Sequence, residues 1–461
     1  MNKNIFKDKL EKIRTGETTP RKYPKSERNV EKRRDMGEIC HNIANSLLGR
    51  YKFITIPGKK LDEIYVYLNG VYESSGKDII RAEVEQILGP NCKTHYVNEV
   101  VNKIARKSLT KRENLGNKDV NLICLNNGVL NLKTMKLLPH KPEYRFMSKI
   151  PVNYVEGVKC PKIEDFIHDI LYEDDIAVIQ EWFGYLLYRG YHIKKGIIFV
   201  GDGDTGKTTL LTLIGKFIGE KNISGVSLQK LSLDKFSNAQ LYNKHVNIYD
   251  DLSATDVADT GSFKMVTGGG YVQGEYKFGD QFQFINFAKL TFTTNKIPMT
   301  KLNDDDIAYY KRWIVLMFEN IFDDNNKKTD KHLIDKITTE KELSGLLNWA
   351  LVGLKRLLEK NAFSYEKDVE DIRRIIQRNA SDLARFSQDC LIEEEGVWIS
   401  KQDLYEEYKE FCKLNILPVI TKEKFGRDIT KACQFIVDSR QGAKTGWRNI
   451  KVKSVKPVMG F

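Results

Sequence analysis

Apolar positions recur along this chain in two rhythms. Short runs such as GIIFV (196–200), HVNIYDD (245–251), AKLTFTTN (288–295) and RWIVLMF (312–318) have the length and β-branched content of buried strands. Around them the period lengthens towards a helical one. Phe166, Ile167, Ile170 and Leu171, then Trp182, Leu186 and Leu187, predict helices over 161–190. Leu343, Leu346, Leu347, Ala350, Leu351, Leu354, Leu357 and Leu358 predict one amphipathic helix whose role is packing. Upstream, IYVYLNGVYES and LICLNNGVLNL set Asn69-Gly70 and Asn127-Gly128 between β-rich runs, which predicts two tight hairpins. Near the end, Ser400 followed by Asp403 predicts a capped helix, and a second helix starts near Thr421. QFIVDSR and WRNIKVK then predict a two-stranded ribbon. Helix, helix, ribbon is the order of a winged-helix module, and strands alternating with helices predict an α/β protein.

Composition narrows the class. A chain of 461 residues is too long for one core and predicts about three domains. Hydrophobic residues make up 41% and charged residues 30%, a globular balance. No run of about 18 uncharged apolar residues occurs, so no membrane partner is expected. The first residues, MNKNIFKDKLEKIR, lack the apolar core of a signal peptide, and a cytoplasmic location is expected. Seven scattered cysteines without a CxxC pair predict reduced structural thiols and no zinc site. The net charge of +12 suits a polyanionic partner, although many Lys-rich chains are simply solvated. Residues 1–36, with Arg21, Lys22, Lys25, Arg28, Lys32, Arg33 and Arg34, are expected to form a basic flexible tail.

The chemistry concentrates after GIIFV. Gly201-Asp202-Gly203-Asp204-Thr205-Gly206-Lys207-Thr208 stands between that strand and the helical LLTLIGKFIGE, with Thr209 opening the helix. Glycines let successive N–H groups turn towards phosphate oxygens, and the helix adds its positive dipole end. Lys207 supplies a cation for the β- and γ-phosphates of ATP, and the Thr208 hydroxyl a ligand for Mg²⁺. Gly201, Gly203 and Gly206 also satisfy GxGxxG, with Glu220 near the place of a ribose-binding acid. Lys207-Thr208 has no role in a dinucleotide site, and GEKN does not read as the end of a second strand. ATP is the better fit. HVNIYDD ends in Asp250-Asp251, one carboxylate for the Mg²⁺ shell (Asp250) and one to polarise the attacking water. AKLTFTTN ends in Asn295, whose amide can bond water and γ-phosphate. Arg312 stands at the entrance of the fourth strand.

Strands ending in Lys/Thr, Asp/Asp and Asn, in that order, resemble the superfamily 3 helicases. The likeness is strongest to the helicase part of phage, plasmid and poxvirus-type primase-helicases. TGGGYVQGEYKFGDQFQFINFAKLTFTTNKIP and DDDIAYYKRWIVLMF look like that family's diagnostic block, and the similarity extends over roughly 60 to 455. It implies an AAA+-like P-loop core at 191–325, an α/β N-terminal domain at 37–160 and a helical linker or collar at 161–190. A helical extension at 326–389 and a winged-helix-like domain at 390–461 complete the expected order. It further implies a homo-hexameric ring translocating on single-stranded or forked DNA, with a separate primase or polymerase as a further partner. Arg312 matches the arginine finger that reaches a neighbouring subunit's ATP; its bland alternative is a salt bridge to Asp304, Asp305 or Asp306. Lys277 and Phe278 match the tip of a hairpin in the ring channel, where a cation tracks phosphate and a ring packs on sugar or base. An ordinary surface turn is the alternative there.

Departures remain. Lys311-Arg312 stands where the family often has two arginines, and Asp251 where many members have Glu. The primase domain of larger relatives has no counterpart, so priming is not expected. A DNA-binding initiator that uses ATP as a switch is the rival in another class, and a small-molecule P-loop kinase a weaker one.

Overall fold

Strands form where the apolar pattern alternates over a few residues, and helices where it repeats every third or fourth. The computed structural model describes residues 25–58, 61–231, 235–253, 260–277, 280–298, 306–322, 330, 332–415, 417–433 and 435–453. They fall into two compact units, Met1–Leu68 with Tyr72–Leu115, and Asn69–Val71 with Gly116–Phe461. The expected 37–160 domain is thus divided, its last third joining the second unit.

The first unit begins with a helix over Lys25–Arg50. Residues 25–36 of the expected tail belong to that helix, and 1–24 lie outside the described residues. Strands β1 (Phe53–Ile56), β2 (Glu63–Leu68) and β3 (Val71–Glu73) form a sheet in that order. Between β2 and β3, Asn69 (φ 47°) and Gly70 (φ 98°) take the left-handed backbone of the predicted hairpin turn. Helices Gly76–Leu88 and Thr94–Lys107 close a core of Ile43, Leu47, Val66, Ile80, Val84, Val100 and Ile104.

In the second unit, β4 (Leu122–Leu125), β5 (Gly128–Asn131) and β6 (Lys136–Leu138) form an antiparallel sheet. Leu125 pairs with Gly128, so the turn is Asn126-Asn127, one residue earlier than the expected Asn127-Gly128. The cause is packing: a Cβ on Gly128 would lie 2.6 Å from the Leu138 carbonyl oxygen. The glycine is needed inside the strand, and the turn falls to the asparagines.

Helices Pro161–Ile170 and Glu173–Leu187 lead into β7 (Gly196–Val200). β8 (Ile223–Ser224) and β9 (Val246–Tyr249) follow, then the hairpin β10 (Tyr271–Glu275) and β11 (Gln281–Ile285). β12 (Lys289–Thr294) and β13 (Trp313–Met317) complete a five-stranded sheet in the order β13-β7-β12-β9-β8. Every neighbouring pair in it is parallel. The central strands are buried, and β7 and β13 are accordingly almost wholly apolar, while β12 also buries Lys289, Thr291, Thr293 and Thr294 and β9 buries Asn247. Ile197, Phe199, Ile314 and Leu316 face the helices Glu173–Leu187, Lys207–Ile218 and Glu340–Lys360. Ile198, Val200, Val315 and Phe292 face Phe263, Ile372 and Ile376.

The leucine-patterned helix, Glu340–Lys360, starts at the Thr339 cap and lies against Glu173–Leu187. A Cβ on Gly184 would be 2.4 Å from the Ala350 oxygen, and one on Gly353 2.4 Å from the Gln180 oxygen. Fully buried Glu181 is held at that contact by Arg356 Nε at 2.6 Å and by Ser364 N and Oγ, both at 2.7 Å.

At the C-terminal end, Ser400 accepts from Asp403 N and Thr421 from Lys424 N, capping helices Lys401–Leu414 and Lys422–Ala432 as the pattern predicts. β14 (Leu391–Ser400), β15 (Val437–Gln441) and β16 (Lys444–Val452) form an antiparallel sheet with β16 in the centre. The predicted ribbon is β15–β16; β14 is longer than the VWIS run suggested.

Candidate functional site

The C-terminal ends of β7, β9 and β12 lie side by side, the edge of a parallel sheet at which α/β proteins bind ligands. After Val200 the chain turns through Gly201–Gly206 into the helix Lys207–Ile218. Two glycines are required by this path. A Cβ on Gly201 would stand 2.2 Å from the Phe318 oxygen. Gly206 has φ 87°, and its Cβ would meet Ile170 Cγ2 at 2.6 Å. Asp204 also takes a left-handed backbone (φ 58°), and its carbonyl accepts from Phe322 N. Gly203 has open space around it.

Lys207 is buried, and its Nζ donates to Gly201 O (2.8 Å), Asp202 O and Thr205 Oγ1 (3.0 Å). Burial lowers its pKa, while Asp202, Asp250, Asp251 and Asp204 oppose the shift. A cation held by loop carbonyls at a helix N-terminus, with Asp202, Asp204, Asp250 and Asp251 acting on it, suits a polyphosphate carrying a divalent metal. Thr208 Oγ1 donates to Asp250 Oδ2 at 3.2 Å, so the two predicted metal ligands touch. Asp250 and Asp251 follow β9 directly and are exposed. Asp251 has φ 53°, a region that aspartate enters more readily than glutamate. This local backbone accounts for the shorter acid at 251.

One residue of the site escaped sequence reasoning. Thr293, on β12, is buried and bonds both acids: Oγ1 donates to Asp250 Oδ1 and accepts from Asp251 N at 2.9 Å. Nothing in TFTTN distinguishes its three threonines; only the parallel register of β12 with β9 selects Thr293. The sequence also gave no sign of a cavity of about 530 Å³ beside Gly206 and Thr209. Phe166, Ile170, Phe322 and Leu333 line it together with Asp165 and Asp169. Phe166 and Ile170 read only as a helix face.

Asn295 is exposed at the end of β12. The preceding residue joins it to the loop, because Thr294 O accepts from Gly201 N at 3.3 Å. Arg312 is not brought to this edge within the chain. It precedes β13, and Trp313 pairs with Gly196, the first residue of β7. The loop lies at the other end of that strand, about 16 Å away along five residues. Arg312 Nη1 donates to Ala308 O at 2.6 Å, and its buried Nε has no hydrogen-bond partner among the described residues. Burial lowers its pKa, against Asp306 and Tyr191. Asp306 gives its carboxylate to Lys264 (2.7 Å) and Thr260 (2.6 Å) rather than in an ion pair to Arg312; Asp304 and Asp305 lie outside the described residues. Lys277 is exposed in the connection between β10 and β11, whose register runs from Tyr271–Ile285 to Glu275–Gln281. Phe278 lies outside the described residues.

Comparison with known proteins adds two partial family matches. Residues 25–172 match the family described as D5 N terminal like. Residues 199–312, which hold the loop, both acids, Asn295 and Arg312, match a family of unknown function (DUF5906). No curated protein matches the chain. Among solved structures, the A form apo structure of the NrS-1 C-terminal region is 14% identical, with a TM-score of 0.46, over 86% of this chain and 87% of that one. An apo structure of NrS-1 residues 305–718 is 13% identical, with a TM-score of 0.46, over 89% and 98%. A likeness at these scores decides neither fold nor function. Among the described residues, no helix is long and apolar enough to cross a membrane.

Proposed function

We propose that the chain is an ATP-dependent DNA helicase of the superfamily 3 type, with an AAA+-like core and a winged-helix-like C-terminal domain, assembled as a homo-hexameric ring. The observation that carries the reading is the convergence of Lys207, Thr208 and Asp250 at the C-terminal edge of one parallel sheet. The partial match of residues 25–172 to a D5 N terminal like family supports a place among replication proteins of the primase-helicase type.

The donor set fits the group. Gly201 and Gly206 let the loop pack tightly against Phe318 and Ile170, and Thr208 with Asp250 are hard oxygen ligands suited to Mg²⁺. When bound, the metal neutralises charge on the transferred phosphate. Lys207 releases its loop carbonyls to hold β- and γ-phosphate oxygens. Asp251 accepts a proton from the attacking water, and Asn295 orients that water. The cavity walled by Phe166 and Phe322 takes the nucleoside, apolar walls meeting the faces of the base. Arg312, remote from its own loop and with a guanidinium nitrogen that has no partner among the described residues, stabilises charge on a neighbouring subunit's γ-phosphate. Lys277 follows the DNA backbone in the channel and passes hydrolysis on as movement.

Strand displacement on a forked DNA substrate, run beside ATP turnover, tests the reading. Wild type is expected to unwind with ATP. Lys277→Ala is expected to keep basal turnover while losing DNA stimulation and unwinding. Turnover without unwinding by wild type would favour an ATP-switched initiator, and normal unwinding by Lys277→Ala would remove the hairpin from the mechanism.

A further inference from the structure

The turn that carries Asn295 is fastened on both sides. On its near side, Thr294 Oγ1 bonds Leu252 O at 2.9 Å, tying β12 to the residue after Asp251. The same hydroxyl bonds Lys296 O at 2.6 Å and accepts from Lys296 N at 3.2 Å, so the turn closes on itself. On its far side the fastening comes from a distant part of the chain. Lys296 Nζ pairs with Asp382 Oδ2 at 2.8 Å, and Ile297 N donates to Asn379 O at 2.9 Å. Ile297 is buried in one apolar cluster with Ile372 and Ile376 of the helix Val369–Arg378.

Asp382 opens the helix Asp382–Cys390, which Ser381 caps by accepting from Ala384 N. That helix is rooted in the C-terminal core. Phe386 is fully buried, and its ring meets those of Tyr408, Phe411 and Phe425. Lys296 and Asp382 also line a groove of about 1010 Å³ that reaches Lys424 and Tyr408. The turn at the nucleotide edge thus shares one ion pair with the first helix of the C-terminal core, and one backbone bond with Asn379, which ends the helix before it.

We propose that Lys296 and Asp382 are positioning residues for hydrolysis: their pair fixes the backbone that aims Asn295, and it couples the C-terminal domain to the nucleotide edge. This rests on the reading of Asn295 as the residue that orients water at the γ-phosphate. Lys296 is half-exposed and Asp382 largely covered, so the pair adds modestly to global stability, and hydrogen exchange outside these segments checks that the fold stays in place. What the pair's loss removes is restraint on a turn whose neighbours are otherwise anchored, and such restraint appears in the catalytic step rather than in substrate binding.

The experiment combines kinetics with hydrogen exchange on the full chain. Lys296→Ala and Asp382→Ala are each expected to lower kcat for ATP by about 3- to 30-fold, with KM within about twofold. The double variant should be no worse than either single one, because both remove the same link. Lys296→Arg, and the exchanged pair Lys296→Asp with Asp382→Lys, should recover most of the loss. Without nucleotide, either Ala variant should speed exchange in residues 294–298 and in 382–390 together. Unchanged kcat, or single effects that multiply in the double variant, overturns the positioning role. If wild type turns over no ATP, the functional reading fails on its own account. Exchange then decides the coupling, which is overturned if only the mutated segment responds.

Discussion

Thr293→Val removes one hydroxyl and keeps the shape and β-branching that a central strand favours. Its Oγ1 donates to the Asp250 carboxylate and accepts from Asp251 N, so a single oxygen sets both acids. A hydrogen bond to a charged group contributes about 1.5–3 kcal/mol, and one between neutral groups about 0.5–1.5. Asp250 is exposed, and water replaces part of the first bond, which puts its loss at the lower end. About 1.5–2 kcal/mol of lost carboxylate positioning corresponds to a Mg²⁺ requirement raised about ten- to thirtyfold. The assay is ATP turnover titrated with Mg²⁺ at fixed ATP. Thr293→Val should shift the midpoint by that factor, while Thr293→Ser, which keeps the hydroxyl, should stay within about threefold of wild type. An unshifted Mg²⁺ midpoint in Thr293→Val would refute the role given to Asp250. Equal shifts in Ser and Val would show that packing, not the hydroxyl, matters.

Arg312→Ala alone should abolish most turnover, and mixing it with Lys207→Ala subunits should restore a fraction; no recovery at any ratio argues against a finger supplied by the neighbouring subunit. His245 offers a test of the fold. It is fully buried, its Nδ1 at 2.9 Å from Leu186 O and its Nε2 at 3.0 Å from Ser148 Oγ, a pairing that suits the neutral Nδ1–H tautomer. Burial lowers its pKa from 6.5 to about 3, so below pH 6.5 the unfolded chain binds the extra proton and stability is lost as pH falls. Between pH 6.5 and 5 the wild type should lose about 1.6 kcal/mol more than His245→Gln, read from denaturant midpoints; parallel curves contradict a neutral buried imidazole.

The parallel sheet and the loop after its first strand were the most legible part of the chain, for a physical reason. A buried parallel sheet demands short β-branched, largely apolar runs, and a loop packed against Phe318 and Ile170 demands glycine at 201 and 206, so both leave local marks. GIIFV, HVNIYDD, AKLTFTTN and RWIVLMF all became neighbouring strands. The Ser400 and Thr421 caps were equally local. What stayed hidden depends on register and distant packing. Thr293 meets the acids only because β12 lies beside β9, and the cavity is lined by residues as distant in sequence as Phe166 and Phe322. The hairpin turn moved by one residue because Leu138, on a third strand, excludes a Cβ at Gly128. The polar composition of residues 25–36 read as tail, yet those residues belong to a helix that buries Ile39, Cys40 and Ile43.

The measurement that bears most directly on the central claim is steady-state hydrolysis of ATP by wild type and by Lys207→Ala, with and without Mg²⁺. The Lys207 side chain reaches the carbonyls of Gly201 and Asp202 and the hydroxyl of Thr205 together. The account predicts Mg²⁺-dependent turnover in wild type and none above background in Lys207→Ala, with the fold of the variant intact by circular dichroism. Turnover that survives Lys207→Ala, or a wild type that neither binds nor hydrolyses ATP, would contradict it.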